Sequence, residues 1–350
     1  MKRKGMAYSC PMPEVDFDTI TLGHGSGGLL TNKLLEHSIF RLFSNDHINQ
    51  QHDGAVFPFH GKMAFSTDSF VVSPIFFPGG NIGDLAMNGT MNDLAMCGAI
   101  PKYISLGLII EEGLKFEELW KLLESIKRIS DAYDVQVVTG DTKVVERGKG
   151  DKIFINTSGI GVVRSLAHIG MNNIKSGDHI LVSGNIATHG MAIMSVREGL
   201  EFETTLQSDT QYIGELSGKL IDAFGDRIHF LRDPTRGGLA TTFNEVTSKL
   251  GISVELEETL IPVLPQAASA CELLGLDPVY VANEGVFIAI VDPEISIEAL
   301  ALMQQHQAGE RAAYIGKVTA NYPKKVLMNS RIGGRRVLSM LVGEQLPRIC

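Results

Sequence analysis

Positive charge is in short supply in this 350-residue chain: 31 Lys and Arg face 40 Asp and Glu, a formal net charge of −9. That balance disfavours general attachment to nucleic acid or to an anionic membrane, since both require clustered cations. Cysteine is also scarce. The four (Cys10, Cys97, Cys271 and Cys350) lie far apart, with no C-x-x-C pair and no His/Cys zinc spacing, which excludes a disulfide scaffold. No apolar run reaches the length of a transmembrane helix. Met1-Lys2-Arg3-Lys4 is basic, but Gly5 to Asp18 holds no sustained apolar stretch, so no signal peptide is expected. The expectation is a soluble protein of the reduced cytoplasm, with no nucleic-acid and no membrane partner.

What the chain does have is a hydrophobic content of 44%, enough for packed cores, in a length that accommodates two domains. Apolar segments such as Lys62–Thr67, Asp134–Thr139, Ile153–Val163 and His179–Ser183 read as strands, and many of them end near glycine or aspartate. Phe116 to Asp131 carries Leu119, Leu122, Leu123, Ile126 and Ile129 at helical spacing. Strands and helices alternate throughout, which predicts an α/β or α+β class. The pattern loosens between Arg164 and Gly177, where a boundary is expected. The division read from this is an extension over 1–20, domains over 21–168 and 169–338, and a flexible tail over 339–350. Cys97 and Cys271 sit in apolar helical contexts and read as core.

Several groups of residues could carry chemistry. In a helix over Gly83–Met96, Asp84, Asn88 and Asn92 fall on one stripe with Asp93 beside them, and no Lys or Arg occurs between Gly83 and Gly98 to answer the charge. Such a stripe is either a solvated face or part of a cation site. Asp53, Asp68 and Asp141 each sit at a predicted strand end or turn, where aspartate also serves as a plain turn former. Together with the helix they suggest a hard-cation site, best suited to Mg²⁺ beside nucleotide phosphates.

Gly23-His24-Gly25-Ser26-Gly27-Gly28 could wrap an anion, although it matches neither common phosphate-loop pattern. In Gly140-Asp141-Thr142-Lys143 the lysine adds a cation beside the acids. Asp233-Pro234-Thr235-Arg236-Gly237-Gly238-Leu239 opens a helix with Asp233 available to a metal and Arg236 to an anion, or is a capped loop–helix junction. Glu284, in Asn283-Glu284-Gly285 between two apolar runs, is either an exposed turn or a carboxylate placed in a cleft for acid–base work. His24 and His189, each next to glycine, could touch phosphate or be ordinary loop residues.

These motifs, above all Ser66-Thr67-Asp68, Asn92-Asp93-Leu94-Ala95-Met96, the 140–143 turn and the 233–239 junction, resemble the ATP-dependent enzymes related to aminoimidazole ribonucleotide synthetase, from Gly23 to Cys350. Pro347-Arg348-Ile349-Cys350 looks like the hydrogenase-maturation branch of that family. The resemblance implies two α/β domains, with the N-terminal halves of a homodimer closing a dimeric β-barrel. It implies ATP in the cleft along the acidic helix and Mg²⁺ held by Asp53, Asp68, Asp93 and Asp233, with Asn88, Gly140, Asp141, Thr142, Lys143 and Arg236 serving the nucleotide.

In that branch a partner carbamoyltransferase loads the terminal cysteine, here Cys350. ATP then drives dehydration of the thiocarboxamide to a thiocyanate, and cyanide passes to the complex that builds the iron site of [NiFe]-hydrogenase. Lys143 would neutralise phosphoryl charge and Glu284 would act as the base. Two other readings stand beside this one. The first is a relative acting on a free small molecule, as selenophosphate synthetase does, although Gly23 to Gly28 lacks a cysteine. The second is a nucleotide-binding scaffold without catalysis.

Overall fold

The computed structural model describes residues 11–26, 28–50, 54–199, 206–340 and 348–349. Asp53 and Cys350 lie outside the described residues. Two sheets, each with its own helices, account for most of the chain.

The N-terminal unit begins with α1 (Leu29–His37) and α2 (Ile39–Leu42), followed by β1 (Met63–Phe70). A two-residue ribbon of β2 (Phe76–Phe77) and β3 (Gly80–Asn81) leads directly into α3 (Ile82–Met96). Then come β4 (Ala99–Glu111), α4 (Phe116–Tyr133), β5 (Gln136–Val145) and β6 (Ile153–Val163). The main sheet has the order β1-β6-β4-β5, with only β4 and β5 parallel. Among the described residues it is open, with β1 and β5 as its two edges, and closes no barrel by itself.

Amphipathic α4 buries the five residues that its period predicts, and Asp134 in the left-handed region (φ 54°) ends it. By contrast α3 is buried nearly all round, because it is packed between β1, β6, α4 and the second unit. Its polar residues must therefore find partners inside the protein.

The second unit holds β7 (His179–Val182), α5 (Thr188–Arg197), α6 (Gly214–Phe224), β8 (Ile228–Arg232), α7 (Gly238–Leu250) and β9 (Ser253–Glu257). It continues with α8 (Pro265–Leu274), β10 (Ile288–Val291), α9 (Ser296–Gln304), β11 (Ala313–Thr319), β12 (Val326–Asn329) and β13 (Arg335–Leu338). Its seven strands run β13-β12-β9-β11-β7-β10-β8, and only β12 with β9 is parallel. Predominantly antiparallel pairing puts the fold on the α+β side of the expected class.

Two sequence expectations change here. Cys97 is not core: it caps the C-terminus of α3 and is exposed, while Cys271 is buried as expected. Asp68 and Asp141 do not end their strands. Each lies inside one, because β1 stays paired with β6 through Phe70 and β5 with β4 through Val145.

Among the described residues no helix is long and apolar enough to cross a membrane.

Candidate functional site

The seam between the two units collects carboxylates from four separate elements. Asp68 comes from β1, Asp93 from the last turn of α3, Asp233 from the loop after β8, and Glu284 from the segment before β10. Asp93 is fixed by Ser66, whose hydroxyl donates to Oδ2 at 2.6 Å. Asn92, one position earlier, stitches the units together. Its Nδ2 donates to the carbonyls of Gln211 (2.9 Å) and Glu284 (3.2 Å), and its Oδ1 accepts from the Ile213 N–H (2.9 Å). Asn283 performs a matching task, donating to the Pro234 carbonyl (2.9 Å) and accepting from the Ala187 N–H (2.7 Å). The Asp233–Gly238 loop and the start of α5 are thereby held against Glu284.

Glu284 is buried (3% exposed), which removes the exposed-turn reading. Its Oε1 finds no hydrogen-bond partner among the described residues. The backbone beneath it is held by Asp209, whose carboxylate accepts from the N–H groups of Glu284 (3.3 Å) and Gly285 (3.2 Å). A Cβ at Gly285 would stand 1.7 Å from the Asp209 carbonyl, so only glycine fits there. Asp209 was not singled out from the sequence. Its sole local signal is an acid among polar residues, Ser208-Asp209-Thr210, with nothing in the spacing to link it to Glu284 75 positions away.

The electrostatics of the seam run against ionisation. Burial pushes the Asp233 carboxyl up to about 7, and repulsion from Asp93 and Asp68 adds to it, against Arg232. Burial, then Asp233, Asp209, Asp68 and Asp93, push Glu284 well above its ordinary value. Burial raises Asp93 with Asp68 repelling it, and burial also raises Asp68, with Arg236 opposing. Buried like charges of this kind are tolerated where a cation or a proton joins them.

Among the described residues no three His, Cys, Asp or Glu side chains close on one point as a ready-made metal cage. The set fits a cation that takes one or two carboxylates and completes its shell with phosphate and water, which is the habit of Mg²⁺. Asp84 is excluded from this group. Arg128 of α4 donates to it at 2.5 Å, and it accepts from the Asn81 N–H as part of the α3 cap, so its counter-ion comes from 44 positions away in sequence. Asn88, one turn after Asp84 on α3, is buried.

Gly140, Asp141, Thr142 and Lys143 are not brought to the seam. They lie on β5, at the sheet edge opposite β1. Lys143 Nζ pairs with Asp141 Oδ1 at 2.8 Å, and this bond holds the Asp141 carboxyl below its usual range. Both side chains are largely exposed. They flank a cavity of about 290 Å³, lined also by Phe40, His47, Ile48, Leu106 and Val137. Of the two histidines singled out, His24 is turned onto Thr21 and Phe17, while His189 is fully buried against the end of the chain.

Two α+β units meeting at an acidic seam agree with the family descriptions that the chain matches. These are the N-terminal domain of AIR synthase related protein over residues 51–163 and its C-terminal domain over 175–328. Within that class, the chain is 46% identical over 332 residues to the carbamoyl dehydratase HypE of Bradyrhizobium diazoefficiens, covering 95% of this chain and 96% of that protein. A crystal structure of the hydrogenase maturation protein HypE in complex with ATP superposes with a TM-score of 0.90 at 44% identity, covering 94% of this chain and 99% of that one. A HypE–HypF complex gives 0.77 at 40% identity, covering 90% and 100%. This chain belongs to the HypE carbamoyl dehydratase family.

Proposed function

We propose that this chain is an ATP-dependent dehydratase that turns a carbamoyl group carried as a thiocarboxamide on Cys350 into a thiocyanate, the source of cyanide for [NiFe]-hydrogenase. The observation that carries the reading is Glu284, a buried carboxylate whose Oε1 has no partner among the described residues and which lies beside four further acids. The carbamoyl oxygen is a poor leaving group. Transfer of the γ-phosphoryl of ATP to that oxygen makes it phosphate, which departs as the C–O bond breaks and C≡N forms. Glu284 takes the nitrogen protons, so the carrier loses the elements of one water while ATP becomes ADP and phosphate. Its raised proton affinity makes the ionised carboxylate a stronger base, and a cation bound among the neighbouring acids favours that ionised form. Mg²⁺, held by Asp68, Asp93 and Asp233 with Asp53 as a further candidate, supplies charge neutralisation for the phosphates. Arg236 faces Asp68 from the loop and is placed to meet an anion.

The separation of Lys143 from the seam supports a homodimer. β1 and β5 are opposite free edges of one sheet, and β1 exposes Met63 and Phe65 (65% exposed). Pairing β1 of one copy with β5 of the next would close an eight-stranded barrel and bury that face. It would set the Gly140–Lys143 segment and its cavity of one copy against the acids of the other. ATP would then lie with its base in the cavity and its phosphates between Lys143 and the seam, with Asn88 as a neutral hydrogen-bonding group.

The remaining assignments follow from family membership. A carbamoyltransferase of the HypF type loads Cys350, and an iron-scaffold maturation complex accepts the cyanide, in the cytoplasm. The unit division 21–168 and 169–338, with the tail over 339–350, belongs to the same proposal. Phosphate release tests it: loaded protein given Mg-ATP should release one phosphate per carbamoyl group, and unloaded protein almost none. ATP hydrolysis indifferent to loading would sink the reading.

A further inference from the structure

The last described residues, Arg348 and Ile349, are seated between the two units. Ile349 is 4% exposed and joins the same apolar cluster as Phe70, Val72 and Ala282. Phe70 is two positions from Asp68, and Ala282 two from Glu284. The Arg348 carbonyl accepts from the Ser73 N–H (3.3 Å) and from Arg197, whose Nε also donates to the Ser73 carbonyl (2.5 Å). The Arg348 side chain pairs with Asp151 and reaches over the Phe154 ring. The Ile349 carbonyl lies 2.6 Å from His189 Nε2.

A carbonyl can only accept, so Nε2 carries the ring proton and Nδ1 is the acceptor. The other side agrees. Ser208 Oγ, 2.8 Å from His189 Nδ1, already accepts from the Thr210 N–H (3.1 Å), which leaves its own hydrogen for the ring. The ring is fully buried, with Phe77 edge-on at 5.7 Å, and burial lowers its proton affinity to about 4, so it stays neutral. Ser208 is the neighbour of Asp209, which holds the backbone of Glu284. One dipeptide therefore braces both the residue that grips the chain end and the segment that bears the candidate base.

We infer that His189 is a positioning residue: through the Ile349 carbonyl, with Arg197 and Asp151 gripping Arg348, it seats between the two units the segment that carries Cys350. For the reaction itself this rests on the carrier reading above; the seat alone does not.

Alkylation of Cys350 in the full chain, followed by peptide mass mapping to separate it from Cys10, Cys97 and Cys271, reads seating without any dehydration chemistry. Losing one such hydrogen bond should speed Cys350 alkylation roughly threefold to tenfold in His189→Leu. His189→Gln, which keeps an N–H within reach, should stay near the parent rate. Because His189 is buried, Asp151→Asn provides a second variant at a half-buried site, and it should also speed alkylation. Unchanged alkylation in both folded variants would overturn the inference. Single-turnover dehydration of the loaded chain should fall with seating in His189→Leu while ATP affinity holds. Faster alkylation with undiminished dehydration would overturn the positioning role, and absent dehydration in the parent would instead refute the carrier reading.

Discussion

Two acidic patches in this molecule answer their charge in opposite ways. At the β5 edge Asp141 has Lys143 two residues on, and the pair is exposed and neutral as it stands. At the seam Asp68, Asp93, Asp233 and Glu284 are brought together from distant parts of the chain, desolvated, and pushed toward their protonated forms. The first patch costs little and contributes little to stability. The second stores repulsion that a bound cation or an arriving proton would relieve. The comparison separates acids neutralised by a neighbour on their own strand from acids left buried without a matching cation.

The largest effect is expected at Glu284. Glu284→Gln should slow dehydration about 10²- to 10⁴-fold and leave the carbamoyl adduct in place, and an unchanged single-turnover rate would remove it as the base. A mixing experiment addresses whether the two patches meet across a dimer. Lys143→Ala and Asp233→Asn should each be nearly inactive alone. Exchanged in equal amounts, they should recover roughly a quarter of the parent rate, because half the dimers keep one intact site. No recovery would show that both patches act within one chain.

The pH dependence of stability has a definite sign. Asp233 in the folded protein is raised to about 7, against about 3.9 unfolded, so the stability of its protonated form is present below about 3.9 and lost as pH rises through about 7. Asn at 233 mimics the protonated acid at every pH. Asp233→Asn should therefore melt about 2 °C or more above the parent at pH 8 and close to it at pH 4, while losing activity. A gap that stays constant with pH would contradict the account of the seam. The smallest change belongs to the other patch: Lys143→Ala should move the melting temperature by less than about 1 °C, since its ion pair is exposed.

The sequence made some of this legible for identifiable reasons. Helix α4 could be read because its apolar period matches a helix with one dry face. Asp93 stands out in a helix without Lys or Arg, Asp68 at a predicted strand end, Asp233 in a loop–helix junction and Glu284 between two apolar runs, and the fold brings them to one seam. Pairing across a sheet is not written locally, so the sequence places Asp68 and Asp141 at strand ends although β1 and β5 continue through them. The neutralisation of Asp84 by Arg128 and the support of Glu284 by Asp209 span 44 and 75 positions, distances over which spacing carries no signal. Nor does sequence tell that the Gly140–Lys143 segment sits on the far edge of the sheet. The seam proved readable because its chemistry is unusual, and its supports are ordinary polar residues.

Intact mass of the loaded full chain, before and after Mg-ATP, tests the central claim most directly. The carbamoyl adduct should map to Cys350, be absent from Cys350→Ala, and lose the mass of one water only when ATP is added. An adduct elsewhere, or one on Cys350 that ATP leaves unchanged, would contradict the account.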